Sequence, residues 1–492
     1  MQETPNGKIH KLEVTGDTLT SRGGLAFFVK YVQAIGIVGL LLHKFAGIKK
    51  SIKGVSVQNL FLQVLYFFFD GTSRHLSYFD ELAREEGYRA VVEMPERQMA
   101  SSHAMKRFFR AFSILHAGAF RWALQELFLW RLRQEKLRVV VLTLDTMVMN
   151  NDDALQREGC DPTYKKVKGF QPLQLIWEGK IVDAIFRRGK RHSNYGHDVE
   201  KMVRGIVTLI RTRYDASVSI ILRLDAGFFD EENFALCDDL GIGFLATGKV
   251  YDPIKQKVLA IPKRKWKEYD NGHQVWSYAQ FSYKCDKWSR AYRALYTRPQ
   301  YEDQQRLLEF ARPDNIILTN LAPRTPLLQR MPRQVRKYWE KDTSLIYHHH
   351  QRGADELPHR GLKEFGSEQL PFKRFAANQA YYYLMLMSFF LFETFKEDNL
   401  EDILPLHSYA MTLRRRLIDF AAKVVRSGHE VILKVPQAVM DRLKLQPRGS
   451  VQKRPTGVRS KPANGSGREL LEVVPDHRVA KQGKSGLFSS KV

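Results

Sequence analysis

The sequence predicts an α/β protein preceded by a helical region, and three observations lead there. Apolar residues recur at helical spacing through the first 134 residues. From Val139 the pattern changes to that of strands, and two of the strongest strand runs each end on an aspartate. Beyond residue 326 the chain returns to helical spacing.

In the first stretch Leu25–Phe45 and Val57–Phe69 are strongly apolar, and Ser101-Ser102 can cap a helix running through Phe112. Val139–Leu144 is a run of β-branched residues and leucine, as in a strand buried on both faces, and it closes on Asp145. Gly169–Trp177 and Ile181–Arg187 flank Glu178-Gly179-Lys180 and predict a hairpin. The helix Asp198–Tyr214 carries Val199, Met202, Val203, Ile206 and Ile210 on one stripe. A second buried strand, Val218–Leu224, closes on Asp225; a short helix (Glu231–Leu240), Gly241 and a strand (Phe244–Gly248) follow. The order β-β-β-α-β-α-β, then helices, is that of the ribonuclease-H-like fold, and open α/β sheets place their sites at strand ends. Between Lys249 and Leu321 the aromatic-rich runs Val275–Tyr283 and Trp288–Thr297, around a turn at Asp286-Lys287, and Asn315–Leu321 predict strands. The expected division is therefore a helical region (1–134), a first catalytic part (135–248), a β-strand insertion (249–325), a second, helical catalytic part (326–447) and a flexible basic tail (448–492).

Charge points to the partner. Lys and Arg number 78 against 53 Asp and Glu, a net +25, and a polyanion gains from such a chain by counterion release. Basic segments occur at Lys165-Lys166 with Lys168, at Arg187-Arg188 with Lys190-Arg191, at Lys263-Arg264-Lys265 with Lys267, and at Arg414-Arg415-Arg416. Each fits a DNA track and a solvated face equally. In the Ser101-capped helix Met105, Phe108, Phe109 and Phe112 share one side and Lys106 and Arg110 lie elsewhere, which suits both a DNA-binding head and a core helix. Cys160, Cys237 and Cys285 are isolated, which speaks against a disulfide framework or a cysteine zinc site and fits a reducing compartment. Met1–Leu19 has no apolar core of a secretory signal. Leu60–Phe69 and Tyr381–Phe392 fall short of the roughly 20 residues of a spanning helix, so they are expected to be core and no membrane is expected.

A carboxylate closing an apolar strand is costly unless paired or bound to a cation, so Asp145 and Asp225 are candidate catalytic acids as well as candidate caps. The third element is Arg352, Glu356 and Lys363, spaced to share one face of a helix. A surface salt-bridge stripe and a metal carboxylate flanked by phosphate-gripping cations both show this spacing. Asp198 and Asp230 precede helices and read as caps or first-turn charges, and Asp355 points off the Glu356 face. His348-His349-His350 is either a solvated turn or a transition-metal site.

Together these residues resemble the bacterial insertion-sequence DDE transposases with the signature Y-(2)-R-(3)-E-(6)-K. His349 stands at the tyrosine position, followed in register by Arg352, Glu356 and Lys363. Leu144-Asp145-Thr146, Asp225-Ala226-Gly227-Phe228, and Gly189 followed by His192-Ser193-Asn194 are similar to that group. So are Lys168-Gly169-Phe170-Gln171-Pro172-Leu173 and Arg374-Phe375-Ala376-Ala377-Asn378-Gln379-Ala380, and the resemblance runs from Gly24 to Leu445. Three departures stand out: His349 replaces the tyrosine, Pro358 is expected to bend the helix beyond Glu356, and Gly361 to loosen it.

The resemblance implies DNA cleavage at element ends followed by strand transfer, with Asp145, Asp225 and Glu356 holding two Mg²⁺ ions (or Mn²⁺) about 3.5–4 Å apart. It implies phosphate contacts from His349, Arg352 and Lys363, joined by Lys165, Lys166 and Lys168, and base stacking by Trp276 or Trp288, both of which also suit a hairpin core. The implied partner is double-stranded DNA, as terminal inverted repeats and target, bound by a homodimer with no nucleotide cofactor. The implied setting is the cytoplasm and nucleoid of a bacterium. A structure-specific metal-dependent nuclease of the same fold and a catalytically silent DNA-binding descendant are the competing readings.

Overall fold

The computed structural model describes residue 9 and residues 11–153, 156–300, 314–323, 325–351, 356–400, 403–428 and 430–444, the side chain of Glu356 excepted. The tail 448–492 and Arg352 lie outside these residues.

The architecture is mixed α/β around a nine-stranded sheet. Its strands are β1 (Val139–Thr146), β2 (Leu173–Trp177), β3 (Lys180–Ile185), β4 (Ser219–Leu224), β5 (Gly243–Gly248), β6 (Lys267–Asp270), β7 (Val275–Tyr283), β8 (Tyr292–Pro299) and β9 (Asn315–Thr319). Their order is β6-β7-β8-β9-β5-β4-β1-β2-β3. The central neighbours β1–β4 and β4–β5 run parallel, and every other pair is antiparallel.

Side chains alternate across this sheet and meet two different cores. Val140, Leu142, Leu144, Ile220, Leu222 and Leu224 belong to a large cluster shared with the N-terminal helices. Ile221, Leu245, Leu295 and Ile317 face the other way, toward Leu328, Trp339, Leu345 and Ile346 from the helices of residues 326–350, with Val139 and Val141 packed beside them. Both faces are covered, which is why the central strands read as unbroken apolar runs.

The helix Phe375–Asn399 runs through the large core, nearly all of its residues buried from Ala376 to Phe392. It packs on N-terminal helices through Phe68 with Tyr381, Phe69 with Phe395, and Phe120 stacked on Tyr383 at 5.5 Å. That environment accounts for both short apolar runs. Among the described residues no single helix is long and apolar enough to cross a membrane; Leu25–Ile35 and Ile37–Ile48 reach that length only together, with a 60° bend between them. The Ser101-capped helix, Ser102–Arg110, likewise turns Met105, Phe108 and Phe109 into the core.

Four expectations change. The strand expected over Gly169–Trp177 is two: Lys168–Phe170 pairs with Met149–Asn150 and Asp161–Pro162 in a small sheet, and β2 begins at Leu173. Pro172 has no N–H to offer a ladder, so pairing stops there. The strands of the expected insertion continue the main sheet, because β9 pairs directly with β5. The strand expected from Trp288 begins at Tyr292, leaving Trp288 in the turn. Finally, the region expected to be helical to residue 447 ends in a hairpin, Ala422–Ser427 with Glu430–Lys434, that pairs with Thr18–Thr20.

Candidate active site

Leu144 and Leu224 are the last register pair of the parallel strands β1 and β4. Asp145 and Asp225 are the next residue on each, so their backbones lie about 5 Å apart, the spacing of neighbouring strands. With a side-chain period of two, both acids fall on the face of Val141 and Ile221, the face covered by residues 326–350. The sequence expectation of matching strand ends is what the sheet shows.

Local turns aim both acids. Asp145 Oδ1 accepts from its neighbour Thr146 N at 2.6 Å. Asp225 caps a single 3₁₀ turn, Ala226–Phe228, its Oδ1 accepting from Gly227 N at 2.8 Å. Gly227 leaves room for this packing: a Cβ there would stand 2.7 Å from Ser193 Oγ and 3.0 Å from Asp225 Oδ1. His192-Ser193-Asn194 thus packs on the Asp225 turn, and Asn194 Oδ1 accepts from Asn233, which also donates to the Phe228 carbonyl. Arg187 braces the same loop from below, donating to Gln171 O at 3.0 Å and to Ser193 O at 3.5 Å.

Glu356, expected from the sequence as the third acid, begins a helix. Asp342–His350 ends at the histidine run, and a separate, uninterrupted helix runs Glu356–Phe365. The expected bend at Pro358 is absent because this proline sits in the first turn, where its missing N–H would have no partner inside the helix. Glu356 and Lys363, seven residues apart, share a face of that helix. Lys363 is ion-paired with Glu368 at 2.6 Å.

His359, one turn after Glu356, was not singled out in the sequence. Its Nδ1 is 3.9 Å from Asp145 Oδ2, and its Nε2 is buried with no hydrogen-bond partner among the described residues. Burial, with the cations of Lys363 and Lys165 nearby, pushes this imidazole down to about 4. The i+3 spacing from Glu356 is the signal that could have found it.

The histidine run is neither solvated nor convergent. His348 stacks on Trp339 at 4.3 Å, His349 is buried with Nε2 2.9 Å from Thr247 Oγ1 on β5, and His350 lies 4.3 Å from the Trp276 ring. Arg223 ties this helix to the acids, donating to Thr143 Oγ1 at 2.9 Å and to the His348 carbonyl at 3.1 Å. Trp276 is thereby next to the helix that leads toward Glu356. Trp288 packs among Phe229, Phe234, Tyr283 and Tyr292.

Of the basic segments, Lys165, Lys166 and Lys168 are exposed on the small sheet, and Lys263, Arg264, Lys265 and Lys267 are exposed beside and on β6. Arg187 is buried, and Arg414 donates to the carbonyls of Phe68, Phe69 and Phe365, so these two hold the fold together.

Among the described residues no three His, Cys, Asp or Glu side chains form a metal cluster. The pair Asp145 and Asp225, hard oxygen donors on one face, with His359 Nδ1 3.9 Å from Asp145 Oδ2, has the chemistry of a divalent-cation site.

Residues 3–446 match the model of the family described as transposase DDE domain group 1. No curated protein matches the chain. Among solved structures, a piggyBac transposase in a synaptic complex with hairpin DNA is similar over 89% of each chain, at 11% identity and a TM-score of 0.36.

Proposed function

Because the chain belongs to the transposase DDE domain group 1 family and is therefore a DNA-cleaving transposase, we propose that it cuts element ends and joins them to target DNA at Asp145, Asp225 and Glu356. The observation that carries this reading is the placement of Asp145 and Asp225 as successive residues after the Leu144–Leu224 register pair. The antiparallel, antiparallel, parallel, parallel run β3-β2-β1-β4-β5 supports assigning this half of the sheet to the ribonuclease-H-like fold.

Asp145 and Asp225, with Glu356 as third acid, would hold two divalent cations, Mg²⁺ or Mn²⁺, which when bound supply positive charge at the reacting phosphate. The residues around them do the positioning. Thr146 and Gly227 amides fix one oxygen of each aspartate, and Arg223 locks the two strands to the His348 carbonyl. Lys165, Lys166 and Lys168 present exposed cations to DNA phosphates, with Lys363 and Arg352 assigned to phosphates nearer the cut; His349, buried against Thr247, is withdrawn from that role. Trp276, against His350, is the better of the two tryptophans to receive an unstacked base, because Trp288 is committed to its aromatic cluster. Double-stranded DNA carrying terminal inverted repeats is the proposed partner, bound as a homodimer on two ends.

Excision of a marker flanked by the element's own ends tests this. Wild type should excise in Mg²⁺ or Mn²⁺, while Asp145→Ala, Asp225→Ala and Glu356→Ala should still bind DNA and fall by roughly a hundredfold or more. Equal excision by Glu356→Ala would remove that residue from the site.

A further inference from the structure

His359 and Asp145 approach from different elements, a helix and a strand end, and stop 3.9 Å apart between Nδ1 and Oδ2. That gap exceeds a hydrogen bond, which ends at about 3.5 Å. Two donors bound to one cation at about 2.1 Å stand roughly 3 to 4 Å apart, and this pair falls within that span. The far side of the ring gives no other account of the placement, since Nε2 is buried and makes no hydrogen bond among the described residues. Bound to a cation through Nδ1, the ring would carry its proton on Nε2, on the side away from Asp145. The helix that carries His359 begins at Glu356, three residues earlier.

We propose that His359 Nδ1 is a nitrogen donor to the cation held by Asp145, making the site a mixed oxygen and nitrogen site. The inference rests on the carboxylate reading above and adds a ligand to it. An imidazole donor shifts preference from Mg²⁺, which favours oxygen, toward transition ions such as Mn²⁺. Lys363 does not compete for this position, being paired with Glu368.

The test uses the full chain loaded with Mn²⁺ in the absence of DNA. Pulsed electron paramagnetic resonance of the bound ion should show a directly coordinated nitrogen, and protein carrying ¹⁵N-histidine should change that signal accordingly. His359→Phe, which keeps a ring in the space, should abolish the nitrogen signal and weaken Mn²⁺ binding about tenfold or more. Mn²⁺ bound by wild type without nitrogen coupling overturns the proposal and leaves the carboxylate reading intact; so does coupling that persists in His359→Phe. Mn²⁺ binding that is absent from wild type, or equal in wild type and Asp145→Ala, overturns both. The labelled wild-type measurement requires no substitution, so a variant that fails to fold does not shelter the idea.

Discussion

Arg223 Nε donates to Thr143 Oγ1 at 2.9 Å across the parallel pair β4–β1, two residues below Asp225 on one strand and two below Asp145 on the other. The same guanidinium reaches the His348 carbonyl at 3.1 Å, one of the last carbonyls of a helix, which has no partner within that helix. One side chain therefore joins both acid-bearing strands to the helix that leads toward Glu356. Arg223→Met should lower stability by about 2–4 kcal/mol, as two charge-assisted bonds are lost, with Arg223→Lys falling in between. Urea unfolding measures this; a midpoint unchanged in Arg223→Met would mean the guanidinium holds nothing together.

The Asp225 turn depends on a missing side chain. A Cβ on residue 227 would press on Ser193 Oγ at 2.7 Å and on Asp225 Oδ1 at 3.0 Å. Gly227→Ala should cost about 1–3 kcal/mol and impair cleavage by displacing the acid. Ser193→Gly removes the closer of the two obstacles, so the double variant should regain part of that stability. A double-mutant cycle in urea reads the coupling, and strict additivity would show that Ser193 is not the obstacle.

What the sequence made legible follows from how local each signal is. Strands β1 and β4 were readable because burial on both faces leaves unbroken apolar runs, and their closing aspartates came with them. The joining of β9 to β5 was not readable, since pairing between distant segments leaves no local trace. Pro358 carried a readable signal that points the other way from a bend: a proline three residues into a polar-to-apolar transition marks a helix start. His359 was hidden because its importance lies in a contact with Asp145, on another element. The histidine run shows the same limit, for Trp339 and Trp276 decide its burial and neither is adjacent in sequence.

Acid should loosen the end of the Asp342–His350 helix. Burial pushes His348, with Arg223 adding to the effect, and His350 down to about 4 from an ordinary value of 6.5. Each folded-state value is depressed, so the unfolded chain takes up these protons first. The stability they contribute is complete above about pH 6.5 and is lost as pH falls toward 4, about 2 kcal/mol each by pH 5. Unfolding at pH 7.5 and pH 5 should show wild type losing more than His350→Phe does. Identical losses in the two proteins would count against a buried neutral His350.

The two tryptophans separate by what surrounds them. Trp288 lies within about aromatic contact distance of four rings, 5.5 Å from Phe234 and 5.6 Å from Phe229 and Tyr283, with Tyr292 at 6.1 Å. Phe229 follows the Asp225 turn in sequence, so Trp288→Ala should cost about 3 kcal/mol and disturb the site only through folding. Trp276 has His350 as its close ring neighbour, at 4.3 Å, and its indole N–H is buried without a partner among the described residues. Trp276→Ala should cost less, about 1 kcal/mol, yet lower the yield of DNA products that need an unstacked base, with Trp276→Phe restoring part of it. Unfolding curves alongside product yields on an element-end duplex separate the two. Full product yield from Trp276→Ala would end the assignment of this ring to DNA.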